Sequence, residues 1–582
     1  MAVRIQRMYI CVSSFLRHST FGFRHYPNIR DIRLIRGCTR LHIGAPMTAR
    51  NRNFEQGIQL CWWIVLAIVI AVVVFIRIRF LAIPLERDEG EYAYAGQLML
   101  QGIPPYRLAY NMKFPGVYAA YALIMWIFGQ TSIGIHLGLL IVNIANIVIV
   151  FLIARRLVGL IAGIATAASY TILSASPSVL GLAAHATHFV MLPTLLGALV
   201  LLKPVLTKKM VFVSGILFGA SLLMKQPAIF FICFGATWLL FRDWRAGLTF
   251  RQTLLRNALF VTASVLPLAG TAFWLWRAGV FAKFWFWTVL YAREYAGVIP
   301  ISQAPRILFE QIGPVTGFGW PLWALAALGV AACFLDKAMR NAAFFILTFI
   351  AFSGLALSSG FLFREHYFIL ILPAICLLVG VATASASKFC SRLARPLSFL
   401  PLAIFVVCSR VALSGQEPLL SQRPSDVVRM IYGPNPFSEA VRVAEYLQAH
   451  TSPTDTIAIL GSEPEIYFYA RRHSATGYIY TYPLMEPQRY AVQMQREMIR
   501  EIEAARPKYL VFVAVTTSWL RHSNSDAEIF DWFDRYSAAD FQLDGLVNIV
   551  SQQHTDYYLP LMVDPRSIRP SEYYLLIYKR KT

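Results

Sequence analysis

Between residues 58 and 414 the chain is a series of apolar stretches separated by short loops. About 20 consecutive apolar residues cross a bilayer as a helix, and a helix satisfies its own backbone there. This pattern sets the class: a polytopic α-helical membrane protein. The chain as a whole agrees, being 57% hydrophobic over 582 residues, with a mean hydropathy of +0.54; soluble domains are far more polar. Spans are expected at 58–83, 133–154, 157–178, 187–202, 210–224, 228–241, 257–276, 314–335, 341–359, 366–386 and 398–414, about eleven transmembrane helices. The apolar piece 114–129 is shorter than a comfortable span and reads as a juxtamembrane helix.

Charge decides the orientation. Residues 1–414 hold 36 Lys and Arg against 11 Asp and Glu, whereas residues 415–582 hold 17 against 20. The basic excess therefore belongs to the membrane part and its tail, and interior-facing loops explain it without nucleic acid. With the amino terminus inside, Arg155-Arg156, Lys203/Lys208/Lys209, Arg242/Arg245/Arg251, Lys337/Arg340 and Lys388/Arg392/Arg395 all fall inside, and the carboxyl terminus falls outside. Lys113, Lys225, Arg293 and Arg364, with His185, His188 and His366, are then cations stranded on the outer side.

Residues 1–56 carry ten Arg, no Lys and two acids. No apolar run precedes a cleavage site, so this is not a secretory signal. A transit peptide, a disordered cytoplasmic tail, or upstream sequence with Met47 as the true start all fit. The eight Cys show no CxxC spacing and none follows Cys408, which argues against a zinc site or a disulfide framework. The domains expected are a basic tail (1–56), a membrane module (57–414) with an outer loop at 84–113, a linker (415–436) and a soluble α/β domain (437–582). In that last domain a helix starts at 437 with Ser438 as a cap, strands lie at 456–461, 508–515 and 573–579, and a helix covers 486–505; the alternation suggests a mostly parallel sheet. The aromatic loop 277–313 reads as an interfacial helix.

One loop concentrates charge. Glu86, Asp88, Glu89 and Glu91 lie within six residues, and Lys113 follows at the loop's end. Charge beside lipid is costly and is retained for function. Two readings stand: Asp88 and Glu91 form a capping box opening a helix, or one carboxylate accepts a proton from an incoming hydroxyl. Lys113 either snorkels to the interface or stabilises charge on a leaving group. Lys225, before Pro227, marks a broken helix end at which a head group can bind. Arg364, Glu365 and His366 form a local ion pair or part of the same site. His185 and His188 are three apart and would share a helix face; they suit a polar lining, and no third metal ligand is evident. The stretch 461–483, dense in Tyr, Arg and Glu, is either an ordinary helix and loop or a lid over the membrane site.

The segment DEGEYAYAGQLMLQGIPPYRLAYNMKFPG (88–116), with the later KQP, REHYF and GSEPEIYFYARR stretches, resembles the GT-C membrane glycosyltransferases. Within them it is similar to bacterial relatives of the dolichyl-phosphate-mannose–protein mannosyltransferases and to the lipid A aminoarabinose transferases. The resemblance implies inverting transfer of a hexosyl or pentosyl unit from a polyprenyl-phosphate carrier to an acceptor hydroxyl on a glycan, lipid or protein. It places the reaction on the outer face of a bacterial inner membrane. It implies Asp88 as base with Glu89 beside it, Lys113 as phosphate ligand, and Arg364 and His366 assisting at the phosphate; Lys225, His185, His188 and Tyr92 are the further candidates for substrate binding. It implies no required cofactor, with a divalent metal left open. Two departures stand out: Phe114 follows Lys113 where many relatives have proline, and Met112 stands where aminoarabinose transferases carry an acid. The rival classes are a transporter or flippase for lipid-linked glycans, disfavoured by the lack of an internal repeat, and a non-catalytic scaffold.

Overall fold

The structure is a computed structural model that describes residues 49–336 and 339–581. The expectations for residues 1–48, Met47 included, and for Lys337 lie outside these residues. Residues as far as Gln59 fall in a unit of their own, and residues from Leu60 onward form the larger unit, which carries the architecture.

Among the described residues six helices are long and apolar enough to cross a membrane: Trp62–Arg79, Ser132–Leu157, Phe250–Arg277, Ile301–Leu335, Leu372–Leu393 and Arg395–Ser414. Gly116–Phe128, Leu160–Ser174, Ala186–Leu201 and Ala342–Leu357 are apolar but shorter. At about 1.5 Å per residue, a 15-residue helix reaches only about 23 Å, less than the hydrocarbon thickness. Two expected spans are corrected. The one at 157–178 shrinks to Leu160–Ser174 because Gly159, at φ 128°, stops the chain before it and Pro177 opens a separate turn after it. The one at 366–386 moves to Leu372–Leu393, because residues Glu365–Leu370 form a 3-10 turn and Pro373 takes a first-turn position, where proline suits a helix start. In the aromatic loop a helix runs without a break through Phe281–Trp285, Phe286–Tyr291 and Ala292–Ala296, the middle stretch wound as a π-helix; Trp287 and Tyr291 on it are buried with Tyr110, Tyr478 and Leu484.

The carboxyl-terminal part carries one six-stranded sheet: β1 (Thr456–Leu460), β2 (His473–Ser474), β3 (Tyr509–Ala514), β4 (Phe541–Ile549), β5 (Thr555–Tyr558) and β6 (Tyr573–Arg580), in the order β2-β1-β3-β6-β4-β5. The expectation of a mostly parallel sheet is overturned. Only β1 pairs in parallel, with β2 and β3; the β3–β6, β6–β4 and β4–β5 pairs are antiparallel. The cause is β4 and β5, which the sequence pattern does not reveal. They are joined by a short connection and form a hairpin that β6 returns beside, so no helix crosses over in that half. Ser438 does not cap its helix: Phe437–His450 starts where expected, so Ser438 lies in its first turn and Pro436 takes the cap position.

The acidic segment forms the helix Arg87–Leu100, and it docks onto this sheet-bearing part. Gly90 makes the docking possible: a Cβ there would lie 2.6 Å from the backbone nitrogen of Glu465. Arg87 locks the contact. Its guanidinium donates to Ser462 O (2.5 Å), Glu463 Oε1 (3.0 Å) and Asn435 Oδ1 (3.0 Å) and lies 5.3 Å from the ring centres of both Phe437 and Tyr482. The stretch 461–483 thus meets the acidic helix directly.

Candidate active site

The helix cap is two residues earlier than expected. Glu86 is the cap and Glu89 its partner: Glu89 N donates to Glu86 Oε1 (2.9 Å) and Glu86 N to Glu89 Oε2 (3.3 Å). The pattern E-x-x-E at 86–89 wins over D-x-x-E at 88–91, and this frees the Asp88 and Glu91 side chains from backbone duty. Both turn to Lys113, whose ammonium donates to Asp88 Oδ1 (2.8 Å) and Glu91 Oε2 (3.1 Å). Glu91 also accepts from Tyr118 OH (2.5 Å), and the Lys113 ammonium sits 4.7 Å from the centre of the Tyr92 ring.

Asp88 and Lys113 line a cavity of about 310 Å³ together with His185, Lys225, Arg364 and His366. Of the outer-side cations singled out in the sequence, Lys113, Lys225, Arg364, His185 and His366 therefore converge, and His188 and Arg293 do not. His188 is buried within its helix, where its carbonyl accepts from Asn146, and does not line the cavity. The two histidines do not share a helix face, because the helix begins at Ala186 and His185 is its extended cap. Glu89 is also away from the cavity. Its Oε1 accepts from Ala184 N (2.6 Å) and pairs with His136 (3.0 Å), so it holds the loop that presents His185. Arg293 is not among the lining residues.

The carboxyl-terminal part and the aromatic loop complete the walls with Tyr480, Tyr482, Glu486, Tyr432, Asn435, Tyr291 and Tyr295. Among them Tyr480 donates from its hydroxyl to Asp88 Oδ1 (2.7 Å). Sequence reasoning missed Glu86, Tyr432, Asn435, Tyr291 and Tyr295; for Glu86 the run of four acids was the available signal. Arg364 is presented by a tight bend in which Gly360 (φ 74°), Phe361 (φ 55°) and Phe363 (φ 44°) all have left-handed backbone. Non-glycine residues there store strain, of the kind that clusters at binding sites.

The two ends of the cavity differ in charge. At one end burial alone would raise Asp88, but Lys113, then His185 and His366, hold its carboxyl well below the usual range. Burial likewise works against Lys113, yet Asp88 and Glu91 hold its ammonium above the ordinary value. Burial raises Glu86 to about 7 against the pull of His185, and raises Glu91 to about 7 against that of Lys113. At the other end no carboxylate pairs with Lys225 or Arg364 among the described residues. Burial, reinforced by Lys113, lowers Lys225 to about 7, and its ammonium rests 3.8 Å from the centre of the Tyr367 ring.

Asp88, His185 and His366 place one ligating atom each within 4.8 Å of one another. The donor set suits zinc, but the arrangement does not. Asp88 Oδ2 lies 3.7 Å from His185 Nδ1 and 3.9 Å from His366 Nε2, while ligands about 2.0–2.2 Å from a tetrahedral ion are roughly 3.3–3.5 Å apart. The two rings also stack, 4.2 Å between centres and 13° between planes, so their in-plane lone pairs run alongside each other and do not meet. As arranged, the three fit a stacked imidazole pair facing a carboxylate, and the chemistry derived from them is routed through no metal.

These features define a class: a multi-pass membrane protein with an acid–cation cavity at the junction of its helices and a sheet-bearing domain. Residues 113–276 match the family described as dolichyl-phosphate-mannose-protein mannosyltransferase. The fold matches ArnT from Cupriavidus metallidurans bound to undecaprenyl phosphate, at TM-score 0.55 and 13% identity, over 89% of this chain and 98% of that one. The apo state of the same protein gives 0.51 and 14% over the same shares. The archaeal oligosaccharyltransferase AglB from Archaeoglobus fulgidus gives 0.49 and 13%, over 88% of this chain and 75% of that one. No curated protein sequence matches the chain. Over residues 113–276 the chain is thus similar to that family, and it shares the fold of ArnT, in line with the resemblance its loop motif carries.

Proposed function

We propose that the protein is an integral membrane glycosyltransferase that moves a sugar from a polyprenyl-phosphate carrier to an acceptor hydroxyl, with inversion. The amino terminus faces the cytoplasm and the cavity opens on the opposite face, in a protein of about eleven spans. The observation that carries this reading is the pairing of an ionised carboxylate, Asp88, with two cations, Lys225 and Arg364, that have no carboxylate partner in one cavity.

The acceptor oxygen attacks the anomeric carbon, and the bond from that carbon to the lipid phosphate breaks. The electron pair leaves with the phosphate, which passes from one negative charge to two. The acceptor proton goes to Asp88. Oδ1 of Asp88 is already taken by Lys113 and Tyr480, which leaves Oδ2, facing Tyr92, His185 and His366, as the proton-accepting atom. Lys225 and Arg364 receive the phosphate and stabilise the charge that grows on it; fixed cations act most strongly in such a water-poor site. Lys113 is thereby reassigned from phosphate ligand to orienter of the base, since two carboxylates already hold its ammonium. Glu89 and Glu91 position the histidine loop and Lys113. The sugar lies between the two ends, against Tyr291, Tyr295, Tyr480 and Tyr482, whose faces suit a sugar ring.

The test is transfer from a purified polyprenyl-phospho-sugar by Asp88→Asn protein in detergent. Loss of turnover with donor binding retained is expected. Undiminished transfer would remove Asp88 from the chemistry, and with it this reading.

A further inference from the structure

A second cavity, of about 270 Å³, lies at the far ends of two helices that start at the first. Ala186–Leu201 begins directly after His185 and ends in this second cavity with Leu201. Ile229–Arg245 begins three residues after Gln226 of the first cavity and ends in the second with Arg242 and Arg245. Helices of 16 and 17 residues separate the two cavities by about 24–26 Å at 1.5 Å per residue. The second cavity therefore opens on the other face of the protein.

Its chemistry is one-sided. Lys203, Arg242 and Arg245 line it and no acid does. The one acid nearby in sequence, Asp243, is held by Arg256 at 2.7 Å. The Arg242 guanidinium is fixed in place by donating to the carbonyls of Leu201 and Pro204. Trp238 and Phe241 form the apolar wall, and Val205 and Trp244, each next in sequence to a lining residue, are exposed, as is Phe250 a few residues further on. A site for a free anion has no use for such apolar surface. An amphiphile does: its head group meets the cations while its chains lie on the aromatic and aliphatic side chains. Basic pockets between membrane helices bind anionic head groups in this way.

We infer that this second cavity binds the phosphate head group of an anionic phospholipid, in the leaflet opposite the catalytic cavity. Arg242 is the fixed anchor, and Lys203 and Arg245 are exposed side chains that close over the head group. This site is separate from the proposed donor site and does not depend on it.

Native mass spectrometry of the purified full-length protein, titrated with phosphatidylglycerol or phosphatidylcholine, tests it. Wild-type protein is expected to favour phosphatidylglycerol by roughly tenfold or more, and K203Q/R245Q to lose most of that preference. The two substituted side chains are exposed, so an unchanged Tm verifies the fold. Three results overturn the inference: an equal preference in K203Q/R245Q, displacement of phosphatidylglycerol by the same concentration of inorganic phosphate, or loss of the preference in Lys225→Gln, which would put the head group in the catalytic cavity.

Discussion

Lys113 and Lys225 are the same side chain in the same cavity, and their surroundings are opposite. Lys113 lies between two carboxylates and is held charged. Lys225 has an aromatic ring and other cations for neighbours, and burial weakens its hold on its proton. One ammonium is committed to the resting structure. The other is kept without a partner until an anion arrives. A buried ion pair holds shape, whereas a buried lone charge is tolerated where a ligand completes it.

The largest effect separates the base from both lysines. Asp88→Asn is expected to lower kcat by roughly 10²–10⁴-fold while leaving the Tm almost unchanged, because Lys113 keeps Glu91; transfer assays and thermal unfolding read this together. Next comes Lys113→Met. It strands the buried Glu91 charge, and breaking such a pair costs about 3–5 kcal/mol, which denaturant unfolding would register. Lys225→Gln should do the reverse, raising the KM for donor by about 10–100-fold, the loss of one charge-assisted hydrogen bond, with stability unchanged or slightly increased. A Lys225 variant that unfolds more readily than the Lys113 variant would break the contrast. The smallest effect is in pH. Lys225 carries its charge below about 7, and Glu86 and Glu91 gain theirs above about 7. All three changes make the cavity more negative as pH rises. The value of kcat/KM for an anionic donor should therefore fall above about pH 7, by up to tenfold per unit, and Lys225→Arg, which stays charged, should shrink that alkaline limb.

Much of this site is legible in the sequence because charge in an apolar chain is conspicuous. Asp88, Lys113, His185, Lys225, Arg364 and His366 each stand out as anomalies of the outer side, and they meet in one cavity. Register is not legible. Glu86-x-x-Glu89 and Asp88-x-x-Glu91 both satisfy the capping pattern, and only the fold selects the first. Nor are the walls legible. Tyr432 and Asn435 lie in what reads as a linker, and Tyr291 and Tyr295 in what reads as a head-group belt; each reaches the cavity through contacts hundreds of residues apart, which no local pattern encodes. The sheet is half legible for a similar reason. The buried apolar runs of β1 and β3 are visible, whereas the strand β4 begins Phe-Gln-Leu-Asp-Gly with mixed burial and offers no clean alternation.

The division between a committed and a reserved lysine is tested most directly by the affinity of polyprenyl phosphate for wild-type, Lys225→Gln and Asp88→Asn protein. Expected is binding weakened about tenfold or more in Lys225→Gln, and unchanged or tightened in Asp88→Asn, where one negative charge beside the phosphate is gone. Binding indifferent to Lys225 but lost with Asp88 would contradict the assignment of the two ends.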